Sequence, residues 1–112
     1  MTNHSTNSGN RNRFRIIGGE WRSRKLGFPG DVEGLRPTAD RIRETLFNWL
    51  QMTIAGAHCL DLFAGSGALS FEALSRGAAS VTALDLSPKV TSSVRENCSI
   101  LSCKNLEIIG AD

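Results

Sequence analysis

The sequence has few of the features that mark membrane or secreted proteins. No apolar run approaches the roughly 20 residues that a bilayer-spanning helix requires. Residues 1–13 are polar and lack the apolar segment of a secretory signal. These absences predict a cytoplasmic chain without a membrane partner.

Cysteine is also scarce. Cys59, Cys98 and Cys103 form no CxxC pair, and with only two histidines in the chain they do not complete a convincing zinc site. The pattern favours three reduced thiols, as is usual in the cytosol, and no bound metal.

Charge is spread unevenly along the 112 residues. Residues 1–45 hold nine Lys or Arg against five Asp or Glu, a net charge of +4, whereas the remainder holds four against six, a net charge of −2. A cationic front end on a slightly acidic body suits an arm that binds a polyanion. A solvated basic segment without a partner fits the charge equally well.

The N-terminal third is predicted to form a tail and an arm. Residues 1–13 are rich in Asn, Ser, Thr and Gly and show no apolar periodicity, which indicates a disordered tail. Residues 14–37 are predicted to form a basic β-hairpin arm followed by a loop. Its strands would cover residues 14–17 and 21–26, on either side of Gly18 and Gly19.

Residues 38–112 are predicted to form one α/β domain. A helix that Thr38 can cap is expected over residues 38–50, with Ile42, Leu46, Trp49 and Leu50 on one face. Trp21 and Trp49 are both expected in the core. Three strands then alternate with two helices, which predicts a parallel sheet with flanking helices. The strands are expected at residues 57–63, 80–84 and 106–109, and the first helix at residues 68–76. The second helix is expected after Ser87, which can cap it, with Pro88 at its first position. Its buried face would consist of Val90, Val94, Cys98 and Leu101.

The most informative segment is DLFAGSGAL, residues 61–69, where the first of these strands meets its helix. Open α/β sheets bind ligands at this edge, and Gly65 and Gly67 let the backbone approach a ligand closely. No lysine occurs between Lys25 and Lys89, which excludes a phosphate-binding P-loop here. Ser70 stands where the NAD fingerprint requires Gly or Ala.

Carboxylates occur at the end of each predicted strand. Asp61 precedes the glycines, Asp85 follows Gly67 by 18 positions, a spacing that reaches ribose hydroxyls, and Asp112 ends the chain where it could meet an adenine. Any one of them alone could be a turn residue or a helix cap. Together they favour a nucleoside ligand that carries positive charge and no phosphate, as S-adenosylmethionine does.

The segment at residues 61–69 resembles motif I of class I methyltransferases. RIIGGEWRSRKL at residues 15–26, GLRPT at residues 34–38 and DRIRETLFNWL at residues 40–50 closely resemble the RsmD family, bacterial enzymes that methylate the N2 of a guanine in 16S ribosomal RNA. The resemblance runs from Arg15 to the C-terminus, and it implies a Rossmann-like fold, S-adenosylmethionine as cofactor, and 16S ribosomal RNA or the small ribosomal subunit as partner.

The resemblance also implies roles for individual residues. Gly65 and Gly67 would line the methionine and ribose side of the cofactor, Asp61 would lie near its amino group, Asp85 would bind the ribose and Asp112 the adenine. The segment that includes Arg36 and Thr38 would fold over the cofactor. The arm would hold RNA phosphates with alternating basic residues, so that one face is cationic and the other packed; these residues are Arg15, Arg22, Arg24 and Lys25.

The sequence departs from the family in one important feature. The family's catalytic motif is Asp or Asn, then Pro-Pro and an aromatic residue, whereas this chain has three prolines and no Pro-Pro pair. No catalytic residue is therefore assigned, and we expect the isolated chain to be inactive. A sheet that stops after its third strand would also leave residues 57–63 as an exposed apolar edge, so the sequence is expected to be the N-terminal part of a longer protein.

Three alternatives remain. The acceptor of the methyl group could be DNA, a protein glutamine or a small molecule. The chain could be a non-catalytic module that binds the cofactor or RNA without turnover. An NAD-dependent oxidoreductase is disfavoured by Ser70 and by the lack of a substrate domain.

Overall fold

The computed structural model describes residues 12–30 and 38–110. Two predicted cofactor-binding residues, Arg36 and Asp112, lie outside the described residues, as does most of the predicted tail. The elements in chain order are β1 (Arg13–Arg15), β2 (Lys25–Gly27), α1 (Asp40–Trp49), β3 (His58–Asp61), α2 (Ala68–Ser75), β4 (Ser80–Asp85), α3 (Pro88–Ile100) and β5 (Leu106–Gly110).

A three-stranded parallel sheet forms the centre of the domain. Its order is β3-β4-β5, and Asp61 pairs with Ala83 while Asp85 pairs with Gly110. Parallel neighbours require a crossover between them, and α2 and α3 provide these crossovers. The predicted α/β architecture is therefore confirmed.

One edge of this sheet is apolar and open to solvent. Within the described residues β3 pairs only with β4. Leu60 on β3 is 63% exposed, and Leu62 and Phe63, just after the strand, are 55% and 85% exposed, although side chains of this kind are usually buried. The expected exposed edge is thus present.

Local sequence signals account for α2 and α3. The Ser87 side chain accepts a hydrogen bond from the Val90 amide, with 3.4 Å between oxygen and nitrogen, and Pro88 occupies the first turn, as predicted. Val90 and Val94 are buried in the core beneath α3. Helix α2 ends just before Gly77, whose φ of +101° does not continue a helix.

The arm is an antiparallel hairpin with a longer connection than the sequence predicts. Phe14 pairs with Leu26 across β1 and β2, and both side chains are buried. The predicted strand at residues 21–26 shortens to Lys25–Gly27, and β1 begins at Arg13, inside the segment predicted as tail. Residues 16–24 connect the strands. This connection is long because several of its backbone groups form hydrogen bonds with α2 instead of closing a tight turn.

Helix α1 differs from its prediction in both its cap and its buried face. The cap position is Ala39, which makes no side-chain capping bond, so Thr38 is not the cap. Trp49 is 78% exposed, and its predicted place in the core is wrong. Arg43 and Phe47 are buried instead, because the arm and the carboxylate of Glu72 pack against this face and compensate the charge of Arg43. Trp21 does pack against the core.

The prediction of three reduced thiols is wrong for two of the cysteines. Cys98 and Cys103 form a disulfide, since the end of α3 and the turn after it bring their Cα atoms within 5.2 Å of each other. Cys59 is free.

No helix in the described residues has the length and apolar character needed to cross a membrane. Nor does any cluster of three or more His, Cys, Asp or Glu in that part of the chain have an arrangement suited to a metal ion.

Candidate functional site

The turn between β3 and α2, residues 62–67, is the glycine loop. Its backbone is fixed by bonds from the Ala64 amide to the Leu84 carbonyl, at 3.0 Å, and from the Gly67 amide to the Ala64 carbonyl, at 2.8 Å. Gly67 has a φ of +86°, and a Cβ at this position would lie 2.9 Å from a ring carbon of the buried Phe71. The loop therefore requires glycine at this position for two independent reasons, backbone conformation and close packing.

Asp85, the last residue of β4, holds the glycine loop to the neighbouring strand end. Its Oδ2 accepts a hydrogen bond from the Gly65 amide at 3.0 Å, and its Oδ1 accepts one from the Ser87 amide at 2.9 Å. A carboxylate offers about four lone-pair sites, so each oxygen can accept one further hydrogen bond. The half-buried carboxylate is thus oriented by the backbone and still able to bind two hydroxyl groups.

Asp61, the last residue of β3, is held by a side chain whose role the sequence did not reveal. Its Oδ2 accepts a hydrogen bond from the Ser70 hydroxyl at 2.7 Å, and its Oδ1 lies 3.4 Å from the Phe63 amide. Ser70, which counts against an NAD fingerprint in the sequence, is buried and orients this carboxylate. The only sequence signal for that role was a small polar residue in the first turn of α2.

The chemistry of this sheet edge suits a ligand with hydroxyl groups and a positive centre. Two carboxylates, Asp61 and Asp85, flank the loop, and no lysine occurs in the sequence between Lys25 and Lys89. Carboxylates accept hydrogen bonds and attract ammonium or sulfonium groups, whereas they repel a pyrophosphate. The structure thus brings Asp61, Gly65, Gly67 and Asp85 together at one edge of the sheet.

Thr38 belongs to a different place. Its carbonyl accepts a hydrogen bond from Arg43 Nε at 3.0 Å. With Arg13, Arg15 and Lys25 it lines a cleft of about 500 Å³ between the arm and the start of α1. The described contacts of Thr38 therefore place it between α1 and the basic arm rather than at the glycine loop.

The arm presents a cationic face to solvent. Arg13, Arg15 and Lys25 are exposed while Phe14 between them is buried, so the predicted alternation is present. Arg15 and Lys25 lie directly opposite each other across the two strands. Like charges in this position repel, and the salt bridge from Arg15 to Asp40, at 3.1 Å, relieves only part of that repulsion.

Arg22 and Arg24 add two further exposed cations on the connection between the strands. Both are exposed, and in the described ranges neither they nor Lys25 form an ion pair. A cluster of exposed guanidinium and ammonium groups is the arrangement that binds phosphate oxygens.

An apolar cleft of about 460 Å³ runs beside the exposed edge of the sheet. Phe47, Leu50, Ile54 and Cys59 are among the residues that line it. Burial raises the pKa of the Cys59 thiol above its usual value of 9.0, so this thiol is protonated near neutral pH.

Comparisons with known proteins identify the family of the chain. The family model described as "Conserved hypothetical protein 95" matches residues 14–112. The chain is 52% identical over 99 residues to "Ribosomal RNA small subunit methyltransferase D" of Escherichia coli (strain K12), covering 88% of this chain and 50% of the relative. The protein of the same name from Haemophilus influenzae (strain Rd) is 54% identical over 91 residues, covering 81% of this chain and 47% of that protein.

The fold is similar to that of a solved structure named "Putative methyltransferase yhhF from Escherichia coli". The TM-score is 0.81 and the identity 50%, over 89% of this chain and 54% of the other. The similarity confirms the predicted Rossmann-like methyltransferase architecture. The chain spans about half the length of the curated relatives it matches.

Proposed function

Because the chain belongs to the Conserved hypothetical protein 95 family, the RsmD family of the sequence resemblance, we propose that it is the cofactor-binding half of a ribosomal RNA methyltransferase. In this proposal the glycine loop binds S-adenosylmethionine and the basic arm binds 16S ribosomal RNA, free or in the small ribosomal subunit. The methyl acceptor is the N2 of a guanine, and the protein works in the cytoplasm. The names of the relatives and their identity to this chain support the assignment.

The observation that carries the cofactor assignment is the double hydrogen bond of Asp85. This carboxylate is held by the amides of Gly65 and Ser87 with about two acceptor sites left over, which matches the two hydroxyl groups of a ribose. Asp61, oriented by Ser70, would accept hydrogen bonds from the ammonium group of the methionine moiety. Gly65 and Gly67 would allow the cofactor to approach the backbone.

Three further residues complete the proposed cofactor set. Asp112 would bind the adenine, and Arg36 and Thr38 would belong to a segment that covers the cofactor. The first two lie outside the described residues. Thr38 contacts Arg43 of α1 and lines the cleft beside the arm.

S-adenosylmethionine supplies a methyl group on a positively charged sulfur, which a nucleophile can attack. This chain's own residues contribute binding and orientation. Asp61 and Asp85 would place the cofactor against the glycine loop, and their negative charge favours the cationic substrate over the neutral sulfur product.

The arm would bind RNA through its charge and not through base contacts. Arg15, Arg22, Arg24 and Lys25 are exposed, while Phe14 and Leu26 anchor the hairpin in the core. Contacts of this kind position a nucleic acid without reading its sequence. The affinity for RNA should therefore fall steeply as salt is added.

The chain alone should bind without turning over. It has no Pro-Pro pair, and a guanine amino group whose lone pair is delocalised into the ring needs hydrogen-bond acceptors to orient it. A second candidate is a module that binds cofactor or RNA without catalysis. Full-length relatives with a Pro-Pro motif would act on RNA, whereas a non-catalytic module would remain inactive in any longer form.

The experiment is a pair of binding titrations on the purified 112-residue chain. Calorimetry with S-adenosylhomocysteine, the stable product, should show one site, and NAD⁺ under the same conditions should show no heat of binding. Fluorescence anisotropy with a labelled 16S ribosomal RNA fragment should show salt-dependent binding. Uptake of NAD⁺ without uptake of S-adenosylhomocysteine would refute the cofactor assignment, and methyl transfer to RNA by this chain would refute its predicted inactivity.

A further inference from the structure

A buried ion-pair cluster lies outside the cofactor site and beneath the arm. Its centre is Glu72 on α2, whose side chain is fully buried. Glu72 Oε1 accepts from Arg43 Nη1 at 3.1 Å, and Oε2 accepts from Arg76 Nε at 2.8 Å. Replacing a buried ion pair by apolar residues is often neutral or stabilising, so such a pair is weak evidence for a purely stabilising role. What the pair holds in place is more informative.

Glu72 binds the backbone of the arm directly. Its Oε1 also accepts from the Ile17 amide and its Oε2 from the Gly18 amide, both at 2.9 Å. All four hydrogen bonds reach one carboxylate, and two of them come from the connection that carries Arg22 and Arg24. Glu72 therefore fixes the start of this connection, at Ile17 and Gly18, to α2.

Ser75, nearly one helical turn further along α2, holds the next part of the connection. Its hydroxyl donates to the Gly18 carbonyl at 2.6 Å and accepts from the Trp21 amide at 2.9 Å. A Cβ on Gly19 would collide with the Ser75 carbonyl, so the arm approaches the helix as closely as glycine permits. Glu72 and Ser75 together anchor the connection to α2.

Arg43 on α1 contacts both the arm and the segment that precedes α1. This fully buried guanidinium donates to the Arg15 carbonyl at 2.7 Å and to the Thr38 carbonyl at 3.0 Å, and it pairs with Asp40 at 2.6 Å. It thereby joins the first strand of the arm to the segment before α1. Glu72 then joins both to α2, the helix that begins at the glycine loop.

We propose that Arg43 and Glu72 are positioning residues that hold the basic arm in a fixed place relative to the cofactor-binding loop, so that RNA bound on the arm is presented to that loop. This proposal rests on the proposed function. It assigns Arg43 and Glu72 a role in positioning the arm and no role in binding RNA or cofactor directly. Neither side chain is exposed to RNA, since both are fully buried. Their effect on RNA binding would act through the arm.

The test is Glu72→Gln in the full 112-residue chain, with RNA affinity measured by anisotropy over a series of salt concentrations. The amide places an NH₂ donor against one backbone amide and one guanidinium that Glu72 now accepts from, so the connection loses part of its attachment to α2. A plot of log affinity against log salt concentration has a negative slope, and each phosphate contact adds about 0.7 to 0.9 to its magnitude. We expect the magnitude of this slope to decrease by roughly one to two units, because two phosphate contacts are lost. The affinity at low salt should fall about tenfold or more.

Glu107→Gln is the matched control. It removes the same charge from the exposed surface of β5, where the described residues show no contact between Glu107 and the arm. Loss of one negative charge should leave RNA affinity unchanged or slightly higher, which is opposite in direction to the effect of Glu72→Gln. Affinity for S-adenosylhomocysteine should stay within about threefold of wild type in both variants, because neither residue touches the glycine loop.

Ser75→Ala keeps the test decisive if Glu72→Gln does not fold. This variant retains the ion pairs and removes the two hydrogen bonds of the Ser75 hydroxyl. It should also decrease the magnitude of the salt slope, by a smaller amount than Glu72→Gln does. A purely structural role predicts a lower melting temperature with an unchanged slope, and that result in a folded variant would overturn the proposal. Failure of the proposed function would instead appear in the wild-type chain, as absence of binding to RNA or to S-adenosylhomocysteine.

Discussion

Replacing Asp85 by asparagine should weaken cofactor binding with little effect on the fold. Each carboxylate oxygen accepts one hydrogen bond from an amide, that of Gly65 at 3.0 Å and that of Ser87 at 2.9 Å. Each keeps one further acceptor site, which in the proposed function takes a ribose hydroxyl. In Asp85→Asn one oxygen becomes an NH₂ group. Whichever way the amide turns, a donor then faces one of the two backbone amides, and one ribose hydroxyl loses its charged acceptor.

The magnitude follows from the hydrogen bonds that are lost. A hydrogen bond to a charged group contributes about 1.5 to 3 kcal/mol, so the dissociation constant for S-adenosylhomocysteine should rise about 10- to 150-fold. Calorimetry measures this change, and circular dichroism confirms that the variant is folded. Glu107→Gln, which removes one exposed carboxylate from β5, is the control and should bind as the wild type does. A folded Asp85→Asn variant that binds within about threefold of wild type would refute the role assigned to Asp85.

Three further predictions follow from single residues. Gly67→Ala should lower the free energy of unfolding in urea by at least about 1 to 2 kcal/mol, because its φ of +86° is unfavourable for alanine and the new methyl group contacts Phe71; an unchanged midpoint would contradict this. Leu60→Lys should reduce aggregation measured by light scattering, because Leu60 is 63% exposed on the open edge of β3, and equal scattering would exclude that edge as the cause. Cys59 should react with iodoacetamide at pH 7.5 more slowly in the folded chain than in urea, because burial raises its pKa and lowers its thiolate fraction; equal rates would contradict the shift.

The sequence predicted the elements that have strong local signals. Ser87 and Pro88 locate the start of α3, and the glycines at residues 65 and 67 locate the loop between β3 and α2. The alternation of strands with helices predicted the parallel sheet, and the position of Asp85 after its strand predicted a carboxylate beside the loop. These features depend on a few neighbouring residues, which a sequence displays directly.

The features that the sequence did not predict depend on contacts between distant segments. Arg43 looks like a solvent-facing residue of an amphipathic helix, yet it is buried because Glu72, 29 residues away, accepts its hydrogen bond. Trp49 was expected in the core, but that face of α1 is open and Arg43 and Phe47 take the buried positions. The disulfide between Cys98 and Cys103 also needs the turn after α3, which spacing alone does not establish.

In the proposed function, the glycine loop, flanked by Asp61 and Asp85, binds S-adenosylmethionine. The most direct measurement is a nuclear magnetic resonance titration of the amide-labelled chain with S-adenosylhomocysteine. We expect saturable shifts in the amides of Gly65, Gly67 and Ser87, with the amides of the arm little changed. Shifts confined to the cleft beside Arg13 and Lys25, or no saturable shift in the glycine loop, would contradict it.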